Sequence, residues 1–161
     1  MRSAVTVFYA TVEITQVRKL VRGIWPVEVD ADGLRTALKE LVNHIGTQHQ
    51  TRCEFRCDRP APIQDNMVAI HLFRIAQEAV NNAIKHGPAK RVVVTLESDE
   101  GETSLRIRDD GPGFDIHRRG HKSKGMGLRI MRNRASLIGA RFDIGLVNGH
   151  GTEVSCVLRT G

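Results

Sequence analysis

The chain has 161 residues, of which 40% are hydrophobic and 26% charged, with a formal net charge of +6 and a pI near 9.7. This suits one domain with a real core, and aromatic residues at only 4% make that core mostly aliphatic. No apolar run approaches a membrane span, the start RSAVTVFYATVE lacks the features of a signal peptide, and three cysteines, an odd number, speak against a disulfide framework, so a cytosolic setting is expected.

In chain order, residues 11–22 (TVEITQVRKLVR) read as a helix with Val17, Leu20 and Val21 on one side. Gly23 and Pro26 end it, and GIWPVEVD is a linker. Leu34, Ala37, Leu38, Leu41, Val42 and Ile45 recur at helical spacing and predict a helix over 33–49. TRCEFRCD (51–58) alternates as a strand does. It carries Cys53 and Cys57, but no further ligands gather and no metal site is expected there. Asp65 is placed to cap a long helix, 66–86, closed by Gly87 and Pro88. Strands follow at 90–97 and 103–109, joined at SDEGE, then a polar loop over 110–125 and a helix over 126–138. Two last strands, 140–147 and 152–159, flank a hairpin turn at NGHG. The order implies an α+β, two-layer sandwich: a sheet with helices against one face.

The chemistry gathers at three places. The first is RDDGPGF (108–114). Leu105, Ile107 and Asp109 share one face of a period-two strand, and Arg106, Arg108 and Asp110 the other. Asp109 therefore continues the buried face, where an unpartnered carboxylate costs several kcal/mol or so. In a plain turn it would accept from the amides of Gly111 and Gly113. The second place is the 66–86 helix. Phe73, Ala76, Ala79, Val80, Ala83 and Ile84 form its apolar arc; His71, Arg74, Glu78, Asn82 and Lys85 lie on the other side. Glu78 and Asn82 are one turn apart. A solvated face would account for them, but two asparagines in mid-helix fit a metal–phosphate site better, with an amide oxygen for magnesium and a carboxylate to orient or deprotonate the attacking group.

The third place is GMGL (125–128), opening a helix whose amides and dipole suit phosphate. GHKSKG is followed by Met126 rather than Lys, so it is not a P-loop. Ile130 stands where a dinucleotide-binding fingerprint needs its third glycine. Positive charge peaks over 117–141, with Arg118, Arg119, Lys122, Lys124, Arg129, Arg132, Arg134 and Arg141. Either a solvated face or a polyanionic partner explains it.

Read in order, RIAQEAVNNAIKHG, RDDGPGF, GMGLRIMRNRA and HGTEV resemble the ATP-binding fold shared by gyrase, heat-shock chaperone, histidine kinase and mismatch-repair ATPases. The likeness is strongest to the catalytic domain of bacterial sensor histidine kinases of the nitrate- and oxygen-sensor type, and it covers most of the chain. It implies a Bergerat-type fold with a mixed, mainly antiparallel sheet. VRKLVRGIWPVEVDADGLRTAL looks like that subfamily's passage from dimerisation helix to ATPase domain, which divides the chain into 1–26 and 27–161.

The resemblance implies ATP and magnesium as cofactors. Glu78 and Asn82 become catalytic, with Asn82 the magnesium ligand. Asp109 accepts from the adenine amino group, and Gly111 and Gly113 let the loop pass close to the base. Gly125, Met126, Gly127 and Leu128 form the hinge of a lid over the phosphates, and 115–124 is that lid, its cations neutralising phosphate charge. Lys85 and His86 end the helix near ribose or phosphate, although a helix C-cap explains His86 equally well. The Thr152 hydroxyl shares a strand face with Val154, Cys156 and Leu158 and reaches water near adenine. Asp110 stands where the family often has Asn, and is expected to face solvent or a neighbouring turn.

Such a kinase needs a phosphoacceptor histidine, usually followed by an acid. None of the seven histidines (44, 49, 71, 86, 117, 121 and 150) is followed by Asp or Glu. The expectation is a catalytic fragment that does not autophosphorylate alone. Its partners would be the dimerisation and phosphoacceptor domain of a homodimeric parent kinase and a response regulator. Neither nucleic acid nor membrane contact is expected. Two alternatives stand beside it. One is a protein-serine kinase or anti-sigma switch of the same fold, and the other, suggested by charge alone, is a non-enzymatic nucleic-acid-binding module.

Overall fold

A computed structural model of the chain describes residues 32–59, 63–113, 124–147 and 150–159. The predicted 11–22 helix, the 1–26 segment and all but the last residue of the predicted lid lie outside the described residues. The elements are α1 (Gly33–Gln48), β1 (Arg52–Arg56), α2 (Asn66–Lys85), β2 (Arg91–Asp99), β3 (Glu102–Asp109), α3 (Lys124–Leu137), β4 (Arg141–Val147) and β5 (His150–Arg159).

Local chemistry sets these boundaries. Asp65 accepts from the amides of Met67 and Val68 at 2.8 and 3.3 Å, satisfying two of the orphan donors that open α2. The His86 amide closes that helix on the Asn82 carbonyl at 3.0 Å. The turn between β2 and β3 is three residues shorter than SDEGE suggests. Glu100 and Gly101 alone make the turn, both at positive φ, as a tight two-residue hairpin requires. α3 begins at Lys124, two residues before its predicted start. It ends where the Ala140 amide reaches back to the Ala135 carbonyl at 2.9 Å around Gly139, at φ +67°.

The strands lie in the order β1-β2-β3-β5-β4. β1 runs parallel to β2, and every other pair is antiparallel. The parallel pair needs a crossover, and α2 supplies it. The apolar phase of each strand faces the helices. Val92, Val94 and Leu96 of β2, Leu105 and Ile107 of β3, and Val154, Cys156 and Leu158 of β5 are all buried. α2 packs between α1 and α3 and lays Leu72, Phe73, Ile75, Ala76 and Val80 into the same core. Phe73 is 1% exposed, and burying such a ring contributes about 2–3 kcal/mol. The expected two-layer α+β sandwich, with a mixed and mainly antiparallel sheet, is the observed architecture. No helix among the described residues is long and apolar enough to cross a membrane.

Candidate functional site

β3 ends at Asp109, and the alternation carries that carboxylate to the helix side of the sheet, half-buried behind Leu105 and Ile107. Asp109 Oδ1 accepts from the Gly111 amide at 2.8 Å and from the Thr152 amide at 3.3 Å. The second donor thus comes from β5, and not from Gly113 in the same turn. Burial pushes the Asp109 carboxyl above its ordinary range. The two amides and the Thr152 hydroxyl oppose that rise, and the neighbouring Asp110 carboxylate adds to it. None of the ion pairs among the described residues includes Asp109.

Asp109 lies in the wall of a cavity of about 70 Å³ between the two layers. Asn82 from α2, His86 at its C-cap, Gly113, Leu128 from α3, and Thr152 from β5 line it too, so six of the predicted site residues meet around one space. The other walls are apolar: Ala79, Ala83, Ile107, Met131, Ile144 and Val154. Met131 and Ile144 escaped the sequence reading. Their part depends on how α3 and the edge strand β4 meet the core, and no local motif marks it.

The polar stripe of α2 is not a solvated face. Glu78 and Asn82 are only partly exposed, because the first turn of α3 packs over them. A Cβ on Gly127 would overlap Glu78 Oε1 and come within 3.4 Å of Asn82 Nδ2. The second glycine of GMGL therefore lets a helix start against the carboxylate and amide. Gly111 is buried, and a Cβ there would overlap the Gly87 carbonyl oxygen. Lys85, Gly125 and Met126 are exposed and stand outside the cavity lining. Of the cationic stretch, Arg134 lies beside His71 and Arg74, whose protonation burial disfavours first and the Arg134 charge second, while Arg129, Arg132 and Arg141 are exposed. Arg118, Arg119 and Lys122 lie outside the described residues. Among the described residues no group of three or more His, Cys, Asp or Glu side chains comes together.

A family model described as the histidine kinase-, DNA gyrase B- and HSP90-like ATPase matches residues 67–161. The chain belongs to this ATPase family. The match takes in α2, both loop motifs and the whole sheet from β2 to β5. Among curated relatives, the sensor histidine kinase LiaS of Bacillus subtilis is 33% identical over 147 residues, covering 86% of this chain and 38% of LiaS. The nitrate/nitrite sensor protein NarQ of Escherichia coli is 32% identical over 130 residues, covering 79% of this chain and 22% of NarQ. The chain thus spans well under half the length of either relative. Among solved structures, the catalytic domain of histidine kinase ThkA superposes with a TM-score of 0.65 at 14% identity, covering 79% of this chain and 93% of that one. The mycobacterial sensor histidine kinase MprB gives 0.60 at 22% identity, covering 81% and 95%. At these identities the solved structures speak for the fold. The family match adds that this is an ATPase-type nucleotide-binding domain.

Proposed function

We propose that residues 27–161 bind ATP with magnesium and transfer its γ-phosphate to a histidine on a dimerisation domain, for relay to a response regulator. The observation that carries this reading is Asp109, a half-buried carboxylate without an ion pair among the described residues, set in an apolar-walled cavity. An apolar-walled cavity with one charged acceptor suits a base with an exocyclic amino group, as adenine has. The sensor-kinase relatives support the reaction class.

We assign the roles by resemblance to the family, and the cavity lining supports those of Asp109, Asn82, Gly113 and Thr152. Asp109 accepts from the adenine amino group; Gly111 and Gly113 give the base close access to the backbone. Thr152 holds Asp109 through its amide and orders water near the base through its hydroxyl. Asn82 and Glu78, one turn apart beside Gly127, face the phosphate end. The Asn82 amide oxygen would hold magnesium, which would offset phosphate charge there. Glu78 orients the attacking imidazole or takes its proton. Gly125, Met126, Gly127 and Leu128 hinge the lid, and Lys85 and His86 border ribose and phosphate. We assign residues 1–26 to the dimerisation part and linker of a homodimeric parent.

Calorimetry of the chain with ADP, GDP and ATP, with and without magnesium, tests the first half. ADP is expected to bind and GDP not to, with magnesium tightening ATP. Adding the parent's acceptor domain with γ-labelled ATP tests the second half. Acid-labile, base-stable label is expected on that domain, and on the 161-residue chain alone none. A chain that binds no adenine nucleotide refutes the reading.

A further inference from the structure

Asp110, the second acid of the turn, points away from the cavity and is exposed. Its Oδ1 nevertheless accepts from the amides of both Lys90 and Arg91 at 2.8 Å, and its own amide donates to the Arg91 carbonyl at 3.2 Å. The connection between α2 and β2 is thereby stapled to the end of β3. Thr51 and the first residue of β1 hold the same connection from the other side. Thr51 Oγ1 donates to the Ala89 carbonyl at 3.0 Å, and the Arg52 amide to the Lys90 carbonyl at 2.8 Å. His86 and Gly87, just before the staple, form one wall of the cavity; Asp109, just before Asp110, forms another.

The geometry points to Asp110 as a positioning residue that sets the distance between the 86–91 connection and the Asp109 carboxylate, and so the width of the base pocket. This rests on the nucleotide reading of the cavity. One carboxylate oxygen catching two successive amides fixes a point on the connection, through two charge-assisted hydrogen bonds. The site is exposed, so amides released from Asp110 turn to water and the fold loses little. The connection gains freedom, however, and a ligand must remove that freedom on binding. Loss of the staple therefore falls on affinity more than on stability. An Asn here still offers an oxygen to both amides, and an Ala offers none.

The test titrates ADP into the 161-residue chain and into its Asp110→Asn and Asp110→Ala variants, with thermal melting of the same samples. Asp110→Asn is expected to bind within about twofold of wild type, and Asp110→Ala about tenfold more weakly at a nearly unchanged melting temperature. In amide-exchange NMR, Lys90 and Arg91 are expected to be protected in wild type and the Asn variant and unprotected in the Ala variant. Equal ADP affinity in a folded Asp110→Ala chain overturns the proposal, as does an Asn variant that loses as much as Ala. Where Asp110→Ala does not hold its fold, Asp110→Glu takes its place. It displaces the carboxylate by one methylene at an exposed position, with the same weakening expected, and unchanged affinity again overturns the proposal. A wild-type chain that binds no ADP removes the nucleotide reading and this inference with it, whereas equal binding by wild type and variant removes only the inference.

Discussion

The amide of Gly151 donates to the carbonyl of Gly111 at 2.6 Å, joining the last hairpin to the turn that follows β3. Gly151 sits at φ +73°, and a Cβ there would overlap the Asp109 carbonyl oxygen. Both the left-handed backbone and the contact exclude a side chain. Gly151→Ala is expected to destabilise the fold by about 1–3 kcal/mol and to weaken ADP binding further, because the atoms it displaces belong to Asp109. Denaturant melts and ADP titration check this, and a variant as stable as wild type would show that the turn tolerates a side chain.

Asp109 sets affinity against stability. Burial raises its folded pKa, so the folded state holds its proton more tightly than the unfolded chain does. The sign follows from linkage: the stability this group contributes is full below its unfolded pKa, near 3.9, and is lost as pH rises through the raised folded value. At neutral pH the ionised carboxylate is a net burden on the unliganded fold. Asp109→Asn is therefore expected to melt higher than wild type at pH 7, with the gap closing below about pH 4. The same variant presents a donor to the adenine amino group and is expected to lose ADP affinity by on the order of 2 kcal/mol, about thirtyfold. Melting curves across pH, paired with calorimetry at pH 7, check both signs.

The contact between Gly127 and Glu78 gives a way to move a carboxylate without deleting it. A methyl at Gly127 displaces the mobile end of Glu78, not backbone. Gly127→Ala is thus expected to keep its melting temperature and to slow phosphoryl transfer to a supplied acceptor domain. Glu78→Gln is expected to act alike, with transfer falling by about 10²-fold or more and ADP affinity little changed. Asn82→Ala differs in kind: the magnesium dependence of ATP binding is expected to weaken. If either substitution unfolds the chain, the residue serves packing.

Cys156 lies on the core face of β5, and burial pushes its thiol up to about 11. The thiolate is the reacting form, so Cys156 is expected to resist thiol reagents at pH 8 until the protein is unfolded. Cys53 is also pushed up by burial, although half-exposed, and is expected to label slowly in the native state. Mass spectrometry of alkylated protein, native and in denaturant, reads the difference.

What the sequence disclosed was local and periodic. The cap at Asp65, the apolar arc of α2 and the face carrying Asp109 follow from spacings within one element, and the structure holds each of them. What it concealed depends on partners distant along the chain. The donor from Thr152 to Asp109 crosses 43 positions, and it appears only once β5 lies beside β3 in register. Glu78 and Asn82 look solvent-facing on a helical wheel because the covering turn belongs to α3. The hold of Asp110 on Lys90 and Arg91 needs the β2–β3 register, with Val92 opposite Asp109. Ile144 becomes a wall only because β4 lies outside β5.

The cavity has a consequence for how this protein is assayed. Its lining runs from Ala79 to Val154 and draws on α2, β3, α3, β4 and β5, so the space exists only when helices and sheet have closed on one another. A molecule lodged there spans the seam between the layers and has nothing to hold in the unfolded chain. Saturation at a hundred times its Kd then adds about 2.7 kcal/mol to the work of unfolding. A plain melting curve, run with and without a candidate compound, becomes a binding experiment that needs neither label nor turnover.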